Sequence, residues 1–352
     1  MISKSEAEAQ FSEQFRLYAW LEAELAIDLN QGVRAEKFAA GASNEIWEIR
    51  SGENRWVLRR PASDSTLRSD TLAREFWVLR ALDGTSVPHP QALAVCEDSE
   101  VIGGPFLVMA HVDGFTPRIP LPEPFAGDAS SRHDMGVAMA DVLGHLAAVD
   151  WRANGLDDFG RPDGYLDRQV DRWLGQLERA RTRELPDVDD VAAWLRANVP
   201  SMGEPGILHG DYQFANVMFD HDTPARIAAV VDWEQSTIGD PLVDLGWLLA
   251  LWDEPGEEPV RGGDEVRVNQ QDGFPTRAEL AARYAHVTGR LLDALGWYEV
   301  LALFKLACVL EGAYARFARG ESQNPAHARL EAMVPGLLQS AGKLVRAGGA
   351  PR

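Results

Sequence analysis

The chain has 352 residues, which is enough for one large or two medium-sized domains with a sizeable core. Its 34 Lys and Arg residues against 54 Asp and Glu residues give a net charge of −20, which argues against a nucleic acid or an anionic membrane as a partner. Hydrophobic residues make up 45% of the chain and charged residues 25%, an ordinary balance for a soluble globular protein.

Cysteine content and the N-terminal sequence bear on the cellular compartment. The two cysteines, Cys96 and Cys308, form neither a metal-binding pattern nor a disulfide framework. The opening MISKSEAEAQ lacks the apolar region of a signal peptide, and no uncharged apolar run approaches the roughly 18 residues of a membrane span. These features predict a cytoplasmic protein without a membrane partner.

The N-terminal third predicts a helix, a group of strands and a second helix. Apolar residues at helical spacing between residues 5 and 29 indicate an amphipathic opening helix. The stretch VRAEKFAAGASNEIWEIRSGENRWVLRRP predicts three strands joined by two turns, and SDTLAREFWVLRAL predicts an amphipathic helix. Two further strands are expected before residue 112, with an acidic turn between them. The GASN turn is small enough for its backbone N–H groups to approach phosphate oxygens, although spacing alone favours a ligand-free hairpin.

The C-terminal two thirds are predicted to be mostly helical. A loop rich in Pro and Gly over residues 116–130 precedes a helix over 131–150. Two helices are expected between residues 151 and 200, and three more after residue 275.

Two arginines in this region form a candidate anion site. Arg168 and Arg172 stand four residues apart and share one helix face, which suits a carboxylate or a phosphate. Asp167 and Asp171 alternate with them, and pairing of these charges with one another is the preferred interpretation.

The stretch 207–244 contains four side chains that could serve in catalysis or metal binding, and they lie between apolar runs. They are His209, Asp211, Asn216 and Asp232. Within it, MFD and IAAVVDW predict two buried strands, and DPLVDLGWLLALW predicts a buried helix. Polar side chains at the ends of such strands are where a rigid scaffold presents chemistry.

Phosphoryl transfer needs a carboxylate that accepts or orients the attacking hydroxyl, and oxygen ligands that hold Mg²⁺ on the nucleotide phosphates. Asp211 supplies the carboxylate, and Asn216 and Asp232 supply the hard oxygen ligands that Mg²⁺ prefers. Each residue alone has a simpler explanation as a turn or a helix cap. The set, at this spacing and in strand context, predicts a phosphotransferase site.

Besides His209, the segment contains two further polar residues, Asp240 and Asp244. His209 is placed with the catalytic residues, and we expect it to pack and hydrogen-bond the loop rather than to transfer protons. Asp240 precedes a proline at a first helical turn, so capping is its default role. Asp244 lies four residues further on.

The segment HGDYQFAN, followed at residues 232–234 by DWE, resembles the catalytic segment of the aminoglycoside phosphotransferase and choline kinase relatives of the protein kinases. In that family the loop reads H-G-D-x-x-x-x-N. The resemblance implies an α+β, two-lobed protein-kinase-like fold, with a small antiparallel-sheet N-terminal lobe over 1–111 and a larger, mostly helical C-terminal lobe over 112–352.

The same resemblance assigns roles along the chain. It places the catalytic loop at 207–220 and the metal-binding segment at 227–244, where Asp240 and Asp244 brace the loop. In the N-terminal lobe, Arg59 stands where the family has a phosphate-holding lysine, and arginine keeps the charge with a different reach. In the family this residue pairs with a glutamate of the next helix, for which Glu75 is the candidate. The implied nucleotide-binding residues come from the phosphate turn, this ion pair and the adenine linker, and they are Gly41, Ser43, Asn44, Arg59, Glu75, Met109 and His111.

Nearly the full chain resembles the branch that includes the kinase-like domain fused to some acyl-CoA dehydrogenases. This branch implies hydroxylated acids or their acyl thioesters as acceptors rather than aminoglycosides. The expected function is Mg²⁺-dependent transfer of the γ-phosphate of ATP or GTP to a hydroxyl of a small molecule, by a monomer or homodimer. Arg168, Arg172 and Glu234 are the candidate acceptor-binding residues. The alternatives are a catalytically silent nucleotide-binding regulator, motivated by Arg59, and a metal-dependent phosphoesterase.

Overall fold

The structure is a computed structural model that describes residues 4–25, 32–40, 44–61, 69–261, 267–322 and 324–351. The chain forms two compact units, one of Met1–Thr85 with His89–Asp113 and one of Ser86–Pro88 with Gly114–Arg352. Each unit has its own buried core.

The first unit is an antiparallel sheet with three helices among its described residues. The strand order is β1-β2-β3-β5-β4, so β3 lies at the centre. The three strands and the helix that the sequence predicts over SDTLAREFWVLRAL are confirmed, whereas the expected acidic turn contains a short helix, α3. The elements are α1 (Lys4–Leu25), β1 (Arg34–Ala40), β2 (Asn44–Ser51), β3 (Asn54–Pro61), α2 (Ser69–Leu82), β4 (Ala92–Cys96), α3 (Ser99–Ile102) and β5 (Phe106–Ala110).

Strand alternation in β3 separates a core residue from a charged one. Leu58 is buried in a cluster with Leu21 of α1, Ile49 of β2 and Phe106 of β5. Because successive side chains of a strand point to opposite faces, the next residue, Arg59, leaves this cluster for the other face of the sheet. The sheet thereby fixes the position of that guanidinium group.

The second unit is mostly helical and contains two short strand pairs. Strand β6 pairs antiparallel with β9, and β7 pairs antiparallel with β8. The predicted helices of this region are confirmed. The elements are α4 (Ala129–Ala147), α5 (Tyr165–Ala180), α6 (Val188–Ala197), β6 (Gly206–Leu208), β7 (Val217–Phe219), β8 (Ile227–Val230), β9 (Thr237–Gly239), α7 (Leu242–Ala250), α8 (Arg277–Thr288), α9 (Leu295–Ala318) and α10 (Leu330–Arg346).

Helix α9 is the centre of the second unit. It packs against α5, α6, α7 and α10, and most of its residues are buried. Gly246 of α7 allows a close approach to α9, because a Cβ at that position would lie 2.5 Å from the Cβ of Tyr298. In the described part of the chain, no helix has the length and apolar character needed to cross a membrane.

Candidate active site

The candidate catalytic loop, residues 209–216, connects β6 to β7. Gly210 has a φ of 85°, a left-handed conformation that residues with a side chain rarely adopt. A Cβ at this position would lie 2.6 Å from the backbone oxygen of Gln235. Glycine therefore lets the loop turn and lie against the chain that follows β8.

Asp244, on α7, holds the first two peptide groups of this loop. Its carboxylate oxygens accept hydrogen bonds from the backbone N–H groups of His209 and Gly210, at 2.6 and 2.9 Å. Burial raises the pKa of Asp244, and the neighbouring His209 and the two N–H donors oppose that rise. This geometry is what the loop-bracing role of Asp244 requires.

His209 is fully buried, and backbone groups engage both of its ring nitrogens. Nδ1 accepts the backbone N–H of Asp211 at 3.2 Å, so Nε2 carries the proton and donates it to the backbone oxygen of Val231 at 2.9 Å. The ring also packs edge-on against Trp233. His209 thus links the catalytic loop to the end of β8, which supports the packing role and leaves neither nitrogen for proton transfer.

Asp211, the candidate base, is held by one side-chain amide on each carboxylate oxygen. Asn216 Nδ2 donates to Oδ2 at 2.9 Å, and Gln213 Nε2 donates to Oδ1 at 2.6 Å. Arg261 in turn donates to the Gln213 side-chain oxygen at 2.9 Å, which fixes the orientation of that amide. The carboxylate is therefore preorganised in one rotamer.

The electrostatic environment of Asp211 is balanced between burial and positive charge. Burial raises the pKa of its carboxyl group, and the positive charges of Lys305 and Arg261 and the hydrogen bond from Asn216 act in the opposite direction. Raised basicity suits a group that accepts a proton from an alcohol.

Lys305, on α9, is a residue that the sequence analysis did not single out. Its Nζ donates to the backbone oxygen of Gly210 at 2.5 Å and lies 4.2 Å from the centroid of the Trp247 ring. Because Asp244 holds the N–H of Gly210 and Lys305 holds its C=O, both sides of this residue are fixed. Burial lowers the pKa of Lys305 to about 8, with Asp211 and Asp244 acting against that shift.

The two candidate metal ligands are brought together by a backbone hydrogen bond. The N–H of Val231, which precedes Asp232, donates to the backbone oxygen of Asn216 at 2.9 Å. Asp232 has a φ of 68°, a strained conformation that re-aims its side chain at the end of β8. Since Nδ2 of Asn216 is used by Asp211, its Oδ1 is the atom left to ligate a cation.

In the first unit, Arg59 of β3 and Glu75 of α2 form a buried ion pair. Arg59 lies between Ile46 of β2 and Leu107 of β5 in the register of the sheet. The pairing that the family resemblance predicts is therefore present, with arginine in the place of lysine.

The remaining nucleotide-binding candidates are placed as follows. Met109 is buried in β5, and His111 directly follows that strand, where its backbone N–H donates to the Arg55 oxygen at 3.3 Å. Asn44 is buried at the start of β2. Gly41 and Ser43 lie outside the described residues.

The candidate acceptor-binding arginines differ in their surroundings. Arg168 donates to the backbone oxygens of Asp163 and Arg161, at the N-terminus of α5. Asp171 pairs with Arg196 of α6, so the expected pairing among the neighbouring charges of α5 is wrong for Asp171.

Arg172 lines a cavity beside Gly210 and has no ion pair with any described residue. Glu234 is half-buried in the short 3₁₀ turn after Asp232 and does not line this cavity. Of these three candidates, only Arg172 shares a cavity with a residue of the catalytic loop.

The residues that sequence reasoning missed were Lys305, Gln213 and Arg261. One signal was available for the first, because a lysine inside the apolar run LALFKLACVL is seldom buried without a partner. Gln213 stood inside the motif, but its contact with Arg261 spans 48 residues and left no local pattern. Among the described residues, no group of three or more His, Cys, Asp or Glu side chains is placed to hold a metal ion.

Comparison with known proteins assigns the chain to a family. The sequence profile of the phosphotransferase enzyme family matches residues 34–289. The chain belongs to the phosphotransferase enzyme family.

Among curated proteins, acyl-CoA dehydrogenase family member 10 of Mus musculus is 33% identical over 293 residues, which cover 82% of this chain and 27% of that protein. The chain thus spans about a quarter of the length of this relative. The predicted resemblance to the acyl-CoA dehydrogenase-associated branch is confirmed.

Solved structures share the fold. A candidate aminoglycoside phosphotransferase from Ralstonia eutropha JMP134 is 29% identical with a TM-score of 0.78, covering 94% of this chain and 98% of that one. Aminoglycoside phosphotransferase APH(4)-Ia, in ternary complex with AMP-PNP and hygromycin B, is 15% identical with a TM-score of 0.56, covering 90% and 98%. The second likeness shows the fold alone. The predicted α+β, protein-kinase-like fold class is confirmed.

Proposed function

We propose that this phosphotransferase moves the γ-phosphate of ATP or GTP to a hydroxyl group of a small molecule, with Mg²⁺ as cofactor. The observation that carries the proposal is the fixed carboxylate of Asp211. Side-chain amides hold both of its oxygens, and Asp244 and Lys305 hold the peptide groups before it. A preorganised base of this kind is what alcohol activation needs.

In the proposed reaction, the acceptor hydroxyl donates its proton to a carboxylate oxygen of Asp211 as its own oxygen attacks the γ-phosphorus. The bond from that phosphorus to the β–γ bridging oxygen breaks, and the nucleoside diphosphate leaves with the electron pair. Each Asp211 oxygen accepts one amide N–H and keeps acceptor capacity for the incoming proton. His209 takes no proton in this scheme, because both of its nitrogens are occupied.

The residues present fit a magnesium site of the kind found with nucleotides. Mg²⁺ commonly takes one or two protein oxygens together with substrate phosphates and waters. Asn216 and Asp232 would hold it, through the amide oxygen that Asp211 leaves unused and the carboxylate at the end of β8. When bound, the ion would neutralise charge that develops on the phosphates.

Nucleotide binding by this fold is supported by the APH(4)-Ia complex, which holds AMP-PNP and hygromycin B. We assign phosphate contact to Arg59, steadied by Glu75, and the adenine edge to the backbone around Met109 and His111. Gly41, Ser43 and Asn44 are proposed to cover the phosphates. We propose a hydroxy acid or a hydroxyacyl thioester as the acceptor, on the ground that relatives of this chain are named as acyl-CoA dehydrogenase family members.

The test is a nucleotide-consumption screen with ATP and GTP across hydroxylated acids and their thioesters, with the Asp211→Asn protein as the blank. We expect consumption with at least one acceptor class, and a turnover roughly 10²–10⁴-fold lower in the variant, because general-base catalysis is lost. Nucleotide affinity, measured by calorimetry, should stay unchanged in the variant. Nucleotide binding without transfer to any acceptor would contradict the proposal and favour the silent regulator.

A further inference from the structure

A small cavity lies next to the catalytic loop, with Gly210 in its wall. Helices α5, α7 and α9, the segment after β8 and Gly210 itself form its wall, and its volume is about 30 Å³. Since one water needs roughly 10–15 Å³ of such a cavity, there is room for about two water-sized groups. Its lining includes Arg172, Trp173, Gly210, Trp247 and Lys305.

Two cations and no carboxylates are among these lining residues. The guanidinium of Arg172 lies 4.8 Å from the centroid of the Trp173 ring, and Lys305 Nζ lies 5.4 Å from the centroid of the same ring. Two positive groups that share one aromatic ring repel each other. The nearest compensating charges, Asp211 and Asp244, belong to the catalytic loop and its brace and do not line the cavity.

The same wall holds hydrogen-bond donors without acceptors. The indole nitrogens of Trp173 and Trp247 are buried, and neither has a hydrogen-bond partner among the described residues. Buried donors without a partner are rare in folded proteins and call for an explanation. Arg172 is exposed and also lines the cavity, so it lies where the cavity opens, and none of the described residues forms an ion pair with it.

We propose that this cavity is a subsite for a carboxylate group of the phosphate acceptor, bound between Arg172 and Lys305. The inference rests on the proposed function and narrows its acceptor to a free hydroxy acid. A carboxylate has two oxygens, which match the space, and it pairs with guanidinium and ammonium groups. A thioester group carries no charge, so it would add no negative charge within the cavity. Because Gly210 lines the cavity and directly precedes Asp211, a carboxylate held there lies next to the catalytic loop.

The kinetic test compares short-chain hydroxy acids with their methyl esters in the wild type, in Arg172→Gln and in Arg179→Gln. We expect Arg172→Gln to raise the KM for the acid about 10- to 100-fold and to leave the ester unaffected, because one charge-assisted contact is lost. Arg179→Gln is the matched control, since Arg179 is an exposed arginine two turns later on α5 and does not line the cavity. Equal KM values for the acid and the ester in the wild type would overturn the subsite and leave the proposed function intact.

A binding test separates the subsite from the reaction. The same acids and esters are titrated calorimetrically, without nucleotide and at constant ionic strength, into the three proteins. Stronger binding of an acid than of its ester supports the subsite if this preference is lost in Arg172→Gln and kept in Arg179→Gln, even if no phosphate is transferred. If no acid of the panel binds better than its ester, the subsite is overturned.

Discussion

Lys305 shows how one side chain links the core of the second unit to the candidate chemistry. A buried ammonium group loses much of its hydration, and here it keeps one hydrogen bond, to Gly210, and the faces of two tryptophan rings. A hydrophobic residue of similar length would fill this position without that loss. A lysine at this position therefore indicates a role in the loop or in ligand binding rather than in packing.

We predict that Lys305→Met lowers turnover about 10- to 100-fold without lowering the free energy of unfolding at neutral pH. Turnover falls because the peptide before Asp211 loses one of its two anchors. Stability is kept because methionine removes the desolvation of a buried ammonium group, which offsets the lost hydrogen bond to Gly210 and the lost attraction to Asp211 and Asp244. Lys343→Met, at an exposed position of α10, is the control. A fall in the free energy of unfolding large enough to account for the lost turnover would indicate a purely structural lysine.

The pH dependence of stability gives an independent check on Lys305. Its folded-state pKa is about 8 and its ordinary value is 10.5, so between these values the unfolded chain binds more protons than the folded one. The free energy of unfolding attributable to this group therefore rises with pH across that window, by up to about 3 kcal/mol. The difference between wild type and Lys305→Met, measured by urea unfolding from pH 7 to about 10.5, should change by this amount. A constant difference would contradict the shifted pKa.

At the scale of elements, the catalytic loop is positioned by its neighbours more than by its own sequence. Asp240 caps α7 by accepting the N–H of Leu242 at 3.0 Å, and it also accepts the hydroxyl of Tyr298 on α9 at 2.8 Å. The same helix, α7, presents Asp244 to the start of the loop. The β6–β9 and β7–β8 pairs fix the two ends of the segment.

We predict that Gly210→Ala lowers both stability and turnover more than Gly256→Ala. Both glycines have a φ of 85°, so both substitutions carry the backbone strain of a left-handed conformation, about 1–2 kcal/mol. Only at position 210 would the new Cβ meet an atom, the Gln235 oxygen at 2.6 Å, whereas nothing lies within 4 Å at position 256. Urea unfolding and turnover measure the two effects. Equal losses in the two variants would remove the close contact as a cause.

The sequence predicted these elements to different degrees. Apolar periodicity was sufficient to predict α2, the three N-terminal strands and the helical character of the second unit. The spacing of Asp211, Asn216 and Asp232 was sufficient for the candidate chemistry, because those residues lie near one another along the chain. The contact from Lys305 to Gly210 spans 95 residues, and only packing of α9 against the loop reveals it. The cavity beside Arg172 depends on the packing of three helices, which no local sequence pattern predicts.

At the scale of the whole molecule, the two units divide the candidate residues. The first unit holds the Arg59–Glu75 pair, on a sheet and helix with their own core. The second holds Asp211, Asn216 and Asp232, around a helical core centred on α9. Both sets of residues lie in the part of the chain that the phosphotransferase enzyme family profile matches, residues 34–289. We propose that the three residues of the second unit converge on a magnesium-bound nucleotide.

The most direct measurement is a crystal structure of the protein with Mg²⁺ and AMP-PNP. We predict a magnesium ion bound by the Asn216 side-chain oxygen and the Asp232 carboxylate at about 2.0–2.1 Å, with the γ-phosphate facing Asp211. A nucleotide bound in the structure with its phosphates away from these three side chains, or a magnesium ion held without either ligand, would contradict the account.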